Sequence, residues 1–330
     1  SSKALVRNLR AQSELMKATL EEVRWDELDR LRDLVAQQRA RREQSITGNG
    51  HSYAMNAASA GMSPVAKLTH ELHGLAGLQA VKVLDTDLEE NPALANFAAH
   101  LRELHTLICA GAKQLLIVAD DEDRDAACAA IRELWATTRL PTATATYATT
   151  PVRTAVRQLW QTNTQVNFCA KAYPTVPSDH PDSAALNVLG GFLRNGYLHR
   201  AIREQGGAYG GGASQDSNIA AFSFYSYRDP RLTETLVDFD ASIQWLLDNE
   251  HDPEQLEQAI LGLIGGLDKP GSPAGEAKSA FHNNLFGRTP EQRRRVRARL
   301  LAVTIDDLKR VARTYLQPDK ASIAIVTNEA

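Results

Sequence analysis

Five glycines fall within seven residues and follow directly on a stretch with the pattern of a helix. They are Gly206, Gly207, Gly210, Gly211 and Gly212, and the helical pattern before them runs over about residues 181–204. Glycine tolerates positive φ and leaves the backbone N–H and C=O groups open to close approach by another chain. A phosphate-binding loop is disfavoured, because there the glycines follow a strand and precede a helix.

Two polar side chains flank these glycines. Arg203 stands at the end of the predicted helix, and Tyr209 lies inside the glycine-rich segment. Taken alone, such a pair is more commonly a helix C-terminal cap and a packing aromatic. The alternative is a binding role, because Arg carries a fork of hydrogen-bond donors and a Tyr hydroxyl can donate to an oxyanion. The residues by themselves leave both interpretations open.

Four short segments have the pattern of β-strands. Residues 113–119 form an apolar run bounded by a glycine and two aspartates, which predicts a buried strand. From Gln165 to Tyr173 apolar and polar side chains alternate, as in a half-buried strand. Two further strands are predicted, at about 219–227 and at 321–327.

Most of the remaining chain is predicted to be helical. A long charged helix is expected over residues 3–44, with a break at the Thr47-Gly48-Asn49-Gly50 sequence. Four more helices are expected between the last two predicted strands. The other predicted helices lie at about 64–78, 92–109, 123–135 and 181–204.

Capping residues indicate where several helices begin. A Ser, Thr, Asp or Asn before a proline at the first helical position is typical of a helix start. Thr304 with Asp307 has the form of a capping box with Asp in place of Glu. The proline-type starts are Asp229-Pro230, Asp252-Pro253 and Thr289-Pro290.

This order of strands and helices predicts an α+β fold, with a mostly antiparallel sheet and helices packed on one face. Residues 138–152 are rich in Thr and Pro and lack a helical period, so we predict an interdomain connection there. We therefore divide the chain into a mainly helical part, residues 1–140, and a complete α+β domain, residues 141–330.

The charge balance gives no reason to expect nucleic acid or an anionic membrane as a partner. The 330 residues include 37 basic and 40 acidic side chains, a net charge of −3. The three cysteines lie far apart, which argues against a disulfide framework and suits a reducing compartment. The chain begins without Met or a signal-like segment and is interpreted as a processed or excised piece. We expect the bacterial cytoplasm, with the mitochondrial or plastid matrix as alternative.

Three segments resemble a known peptidase family. The run LHRAIREQGGAYGGGAS, with FSFYSYRDPR after it, is similar to the C-terminal half of presequence proteases in the pitrilysin/insulinase family of inverted-zincin metallopeptidases. The ending VTIDDLKRVARTYLQPDKASIAIVTNE and the earlier SYAMNAASAGMSP also resemble that family. The glycine-rich run is the most specific of the three.

The resemblance implies a fold and a division of labour. Family members fold as two halves, each of two related α+β domains with the LuxS/MPP-like metallohydrolase fold, which close around a chamber for unfolded peptides. Residues 1–140 would be the helical end of the third domain, and residues 141–330 the fourth. An H-x-x-E-H motif in the N-terminal half binds zinc. This chain is therefore expected to hold no metal or cofactor, and to have that half and a peptide as partners.

The resemblance also implies which side chains meet the substrate. The family's C-terminal half contributes an Arg and a Tyr from the glycine-rich loop, and these match Arg203 and Tyr209. Tyr209 would donate to the scissile carbonyl oxygen, and Arg203 would bind a substrate carbonyl or carboxylate. The backbone expected to bind substrate is that of Gly206, Gly207, Gly210 and Gly211.

The histidines do not reproduce the zinc motif. His70 and His73 are three residues apart, without the spacing or the Glu position of H-x-x-E-H. His100 and His105 are five apart, so they lie roughly 140° from each other around a regular helix and do not share one ion. We expect no metal site in this chain.

The first functional hypothesis is a part of a zinc metalloendopeptidase that degrades short unfolded peptides and is inactive without the rest of the protein. The alternative is a non-catalytic subunit or structural core protein of the same superfamily. If the first part is a truncated domain, its apolar helix faces are exposed, which predicts a homodimer of this fragment.

Overall fold

The computed structural model describes residues 2–135, 149–150 and 152–328. The chain divides into two compact units. One comprises Ser1–Gln38, Val83–Ala148 and Pro270–Arg288, and the other comprises Arg39–Lys82, Thr149–Lys269 and Thr289–Ala330. The predicted connection at 138–152 falls mostly outside the described residues, so the predicted division at residue 140 stays a prediction.

The helices before the sheet are α1 to α6. They span Leu9–Glu21, Leu28–Ser59, Pro64–His73, Leu75–Asp87, Asn91–Ala110 and Asp121–Trp135, with a short 3-10 turn at Val6–Asn8. The last two confirm the helices expected at 92–109 and 123–135. The single helix expected over 3–44 is wrong, because residues 22–27 separate α1 from α2.

Two of the helix boundaries expected from the sequence differ in the structure. The predicted break near Asn49 is a kink, since α2 continues through a non-helical Asn49 with φ of −129°. Conversely, the helix predicted at 64–78 ends at Gly74, and α4 starts after it. At Gly74 an added Cβ would come within 2.9 Å of His70 backbone and side-chain atoms, so the sharp turn favours glycine.

The strand predicted at 113–119 is wrong. These residues follow α5 without regular secondary structure, and Leu115, Leu116 and Val118 are each at least 40% exposed. No described strand lies beside them to accept their backbone hydrogen bonds. β-branched and apolar composition specifies a strand only where a neighbouring strand is present.

A five-stranded mixed sheet forms the centre of the second unit. Its strands are β1 Arg157–Gln161, β2 Phe168–Pro174, β3 Gly210–Asp216, β4 Ala221–Tyr227 and β5 Ser322–Thr327, in the order β1-β5-β2-β4-β3. Only β1 and β5 pair in parallel among these strands, and the other three pairings are antiparallel. The predicted α+β class with a mostly antiparallel sheet is confirmed.

Five of the helices that follow β2 pack on one face of this sheet. They are α7 Ser183–Leu193, α8 Thr233–Asp248, α9 Pro253–Asp268, α11 Pro290–Leu301 and α12 Ile305–Tyr315. Helix α10, Pro273–Leu285, belongs to the other unit. Five helices, α8 to α12, therefore separate β4 from β5, one more than predicted. The starts at Asp252 and Thr289 and the Thr304–Asp307 capping box are confirmed.

The opposite face of the sheet is also buried. Ile46, Ala54 and Leu75 from α2 and α4 pack there with Phe168. Strand β2 is therefore buried on both faces, and the half-buried pattern expected from Gln165 was too simple. Lys171 remains on the core side because its Nζ lies 2.5 Å from Asp240 Oδ1, so the charge is paired.

Asp182 ties the start of α7 to α12. Its carboxylate accepts a hydrogen bond of 2.8 Å from the Tyr315 hydroxyl and lies 2.8 Å from an Arg310 guanidinium nitrogen. Burial tends to raise the pKa of this carboxyl, but the hydrogen bonds from Tyr315 and Arg310 outweigh it and hold the pKa below its usual value. The ionised form of Asp182 therefore stabilises the fold.

We expect Asp182→Asn to lower the free energy of unfolding at pH 7 by about 1 kcal/mol, a low figure because Arg310 is half exposed. A depressed folded-state pKa contributes stability above the unfolded value, near pH 4, and loses it as the pH falls through the folded value. The difference between wild type and variant should therefore shrink below about pH 4. Urea titrations from pH 7 to pH 2.5 measure it, with exposed Asp319→Asn as control; a constant difference contradicts the assignment.

Candidate functional site

The glycine-rich segment is a helix end followed by an edge strand. Helix α7 continues directly into a π-helical stretch, Arg194–Gln205, a geometry that is rare and enriched at functional sites. Gly207 then adopts φ of +78°, which favours glycine, and the Ala208 N–H donates to the Ile202 carbonyl. The chain reverses there into β3. No strand was predicted from the sequence over residues 210–216, ahead of the strand predicted at about 219–227.

Arg203 and Tyr209 come together on this reversal. The Arg203 guanidinium carbon lies 5.8 Å from the centre of the Tyr209 ring, within the range of a cation–π contact. Both side chains are exposed, Tyr209 to 65%. Neither side chain has a hydrogen-bond or ion-pair partner within the part of the chain that the structure describes. Tyr209 is therefore not a packing aromatic of the core, which weakens the structural interpretation of this pair.

The backbone of Tyr209 is fixed from the neighbouring strand. Its N–H donates to the carbonyl of Arg228, which directly follows β4, at 3.3 Å. Its ring meets the Tyr227 ring edge-on, with centroids 5.5 Å apart. These contacts hold the Tyr209 ring from one side, and the residue remains exposed to solvent.

Three of the four glycines expected to bind substrate have structural reasons to be glycine. An added Cβ at Gly206 would clash with the Ile202 carbonyl and the Arg231 guanidinium, and one at Gly211 would meet the Ile202 side chain and the Tyr225 carbonyl. Gly207 needs its positive φ. Gly210 alone of the four has open space around it. Substrate binding by these backbones stays a prediction.

His51 is a neighbour of the site that the sequence interpretation missed. Its ring packs against Tyr227 at 4.9 Å and Tyr225 at 5.7 Å between centroids. Burial lowers its pKa, so the ring is neutral near pH 7. Its Nδ1 is buried without a hydrogen-bond partner among the described residues. An aromatic pair from α2 and β4 has no local sequence signal, because its members are more than 170 residues apart.

Asp229 has a different role from the one predicted. It does not cap a helix, since α8 begins at Thr233. Its side chain is buried and accepts hydrogen bonds from the Arg231 N–H at 2.9 Å and the Thr235 hydroxyl at 2.7 Å. Its backbone also exchanges hydrogen bonds with Asn167. These contacts fix the turn after β4, whose Arg228 carbonyl in turn holds Tyr209.

The described residues do not fit a zinc site. Nowhere in residues 2–135, 149–150 and 152–328 do three His, Cys, Asp or Glu side chains group closely enough to hold a metal ion. His105 is engaged with the Leu20 carbonyl at 2.6 Å, and His70 is buried against Trp160. No helix in the same part of the chain is both long and apolar enough to cross a membrane.

Comparison with family models decides the relationship. The PreP C-terminal domain model matches residues 158–329, more than half of the chain, and the Peptidase M16C associated model matches residues 1–84. The chain belongs to the presequence-protease branch of the pitrilysin/insulinase family. The resemblance recognised from the sequence is thereby confirmed.

Curated relatives of this family align along nearly the whole chain. The mitochondrial presequence protease of Yarrowia lipolytica is 32% identical over 331 residues, which cover 97% of this chain and 32% of that protein. The Danio rerio mitochondrial presequence protease is 29% identical, covering 96% of the chain and 33% of that protein. The chain thus spans about a third of the length of these relatives.

Solved structures share the fold of this family member at low sequence identity. A protease from Helicobacter pylori superposes with a TM-score of 0.66 at 14% identity, over 97% of this chain and 77% of that one. Pitrilysin superposes with a TM-score of 0.64 at 11% identity, over 97% of this chain and 33% of its own. At these identities the likeness shows the fold alone.

Proposed function

We propose that this chain is the C-terminal, zinc-free part of a zinc metalloendopeptidase that degrades short unfolded peptides in a closed chamber. The observation that carries the proposal is the exposed Arg203–Tyr209 pair on the glycine-rich reversal. The zinc and its H-x-x-E-H motif belong to the N-terminal half. The substrate and that half are the expected partners, and the chain by itself is inactive.

Each side chain of the pair has a chemical role in this proposal. The Tyr209 hydroxyl donates a hydrogen bond to the scissile carbonyl oxygen as negative charge develops there, a contribution of about 3 kcal/mol for one such donor. Arg203 binds a substrate carbonyl or carboxylate through its planar fork of N–H donors. Because neither side chain has a hydrogen-bond or ion-pair partner among the described residues, both groups are free to meet a substrate.

A reconstitution experiment tests the division of labour. We expect this chain alone to leave a fluorogenic peptide intact, and addition of the N-terminal half to restore zinc-dependent cleavage. The readout is the rate of fluorescence increase with and without a chelator. Zinc-dependent cleavage by the isolated chain would refute the proposal.

A non-catalytic role within the superfamily is the alternative. One solved relative, from Pseudomonas fluorescens, is described as an inactive peptidase M16 domain and superposes with a TM-score of 0.60 over 92% of this chain. A sequence upstream of this chain without H-x-x-E-H would favour a non-catalytic subunit. The mitochondrial names of the relatives support the organelle-matrix alternative for the compartment over the bacterial cytoplasm.

A further inference from the structure

Four side chains form a continuous row at the end of β4. The Arg203 guanidinium lies over Tyr209 at 5.8 Å, Tyr209 meets Tyr227 edge-on at 5.5 Å, and the Arg228 guanidinium lies over Tyr227 at 5.4 Å. We call this the Arg–Tyr row. It places one cation at each end of a pair of tyrosine rings.

The two cations of the row form no ion pair with Glu204, Asp229 or Asp238, which have other partners. Glu204 lies 3.3 Å from His199, Asp229 is buried with Thr235, and Asp238 is 2.9 Å from Arg231. Arg203 and Arg228 are both exposed, and no carboxylate pairs with either within the described residues. The row therefore has an excess of positive charge.

Arg228 also has an unusual backbone. Its φ is +50°, a region that long side chains rarely adopt and that is enriched at functional sites. This conformation lets its carbonyl accept the Tyr209 N–H while its guanidinium lies on Tyr227. One residue thus fixes the start of β3 and adds the second cation.

We propose that Arg228 is a second substrate-binding residue, which binds a carboxylate of the peptide at the opposite end of the row from Arg203. A guanidinium fork matches a carboxylate in bidentate geometry, and the tyrosine rings hold both forks against aromatic faces. The carboxylate comes either from an acidic side chain or from the peptide's C-terminus. This inference rests on the proposed peptide-binding function and extends it to substrate selection.

The test is peptide binding to the full-length protein that contains this chain, with a chelator present to prevent cleavage. Three fluorescein-labelled peptides are compared by anisotropy: one with a Glu and a free C-terminus, its Glu→Gln version, and its C-terminally amidated version. The variants are Arg228→Asn, which removes the guanidinium but tolerates positive φ, and Arg228→Lys, which retains a charge. Arg295→Asn, at an exposed position on α11, is the control.

We expect Arg228→Asn to weaken binding of the Glu peptide with a free C-terminus about tenfold, since a charge-assisted hydrogen bond is lost. Whichever peptide lacks the relevant carboxylate should bind wild type and Arg228→Asn equally, which identifies the source. The affinity of Arg228→Lys for the peptide should lie between those of wild type and Arg228→Asn, and the affinity of Arg295→Asn should match that of wild type.

Two results overturn the inference. Equal weakening of all three peptides by Arg228→Asn would mean a general structural effect, and no weakening of any would mean that Arg228 does not touch the substrate. Absence of peptide binding by the wild type would overturn the inference together with the proposed function. A Tyr209→Phe enzyme with undiminished turnover but an intact carboxylate preference would instead contradict only Tyr209's catalytic role.

Discussion

Replacing Tyr209 by Phe in the full-length protein should reduce peptide turnover about 100-fold, while substrate binding changes little. The ring and its contact with Tyr227 are retained, so only the hydroxyl is lost. Removal of one oxyanion donor lowers kcat by a factor of about 10² to 10³, because that hydrogen bond strengthens as the transition state forms. Steady-state kinetics with a fluorogenic peptide separate the expected fall in kcat from a small change in KM.

Tyr197→Phe is the matched control for this measurement. It removes a hydroxyl from the helical stretch that leads into the same reversal, but its ring packs on Trp245 at 5.9 Å. We expect its turnover to equal that of the wild type. If Tyr209→Phe also retained wild-type turnover, the hydroxyl would have no part in the reaction, and Tyr209 would act through its ring alone.

Phe168→Ala should lower the free energy of unfolding of this chain by about 3–5 kcal/mol. The Phe168 ring is completely buried in the core between the sheet and α2. An added Cβ at Gly50 would come within 2.4 Å of that ring, so the helix backbone already lies against it. Loss of the ring leaves a cavity that this close contact cannot readily fill. Urea unfolding followed by far-UV circular dichroism and by tryptophan fluorescence measures the change.

Leu159→Ala on β1 provides the comparison for Phe168→Ala. This side chain belongs to the same sheet but is 61% exposed, so its truncation should cost less than about 1 kcal/mol. Similar losses for the two variants would contradict the placement of α2 against Phe168. Two separate unfolding transitions would instead report the two units, and the effect of Phe168→Ala is then expected in the transition of the unit that contains the sheet.

Local sequence patterns predicted most of the helices and three of the strands, because periodicity and capping act over a few residues. Thr304 with Asp307 is such a case, and the capping box is present. The failures depend on distant partners. Residues 113–119 have strand composition but no described strand beside them, and β1 becomes a strand through its pairing with β5. In both cases the neighbouring residues in the sequence do not determine whether the segment forms a strand.

The candidate site divides in the same way. Arg203 and Tyr209 were singled out because they adjoin or lie within the glycine-rich segment, and their role as site residues came from the family resemblance. Tyr227, Arg228 and His51 were not, since they reach the site through strand pairing and helix packing. Asp229 shows how a local rule fails, because its carboxylate holds the turn after β4 and leaves the start of α8 uncapped.

The position of β5 has a consequence for the biosynthesis of this chain. Its residues, Ser322–Thr327, lie between β1 and β2, and Ala324 and Val326 are buried against the sheet face that α2 covers. A ribosome adds these residues long after α2 and β2 have emerged. Until then β1 has no pairing partner, and one edge of β2 is unpaired. Such late, long-range pairing slows folding and exposes apolar surface during translation. The nascent polypeptide is therefore expected to depend on chaperone protection until β5 has been made.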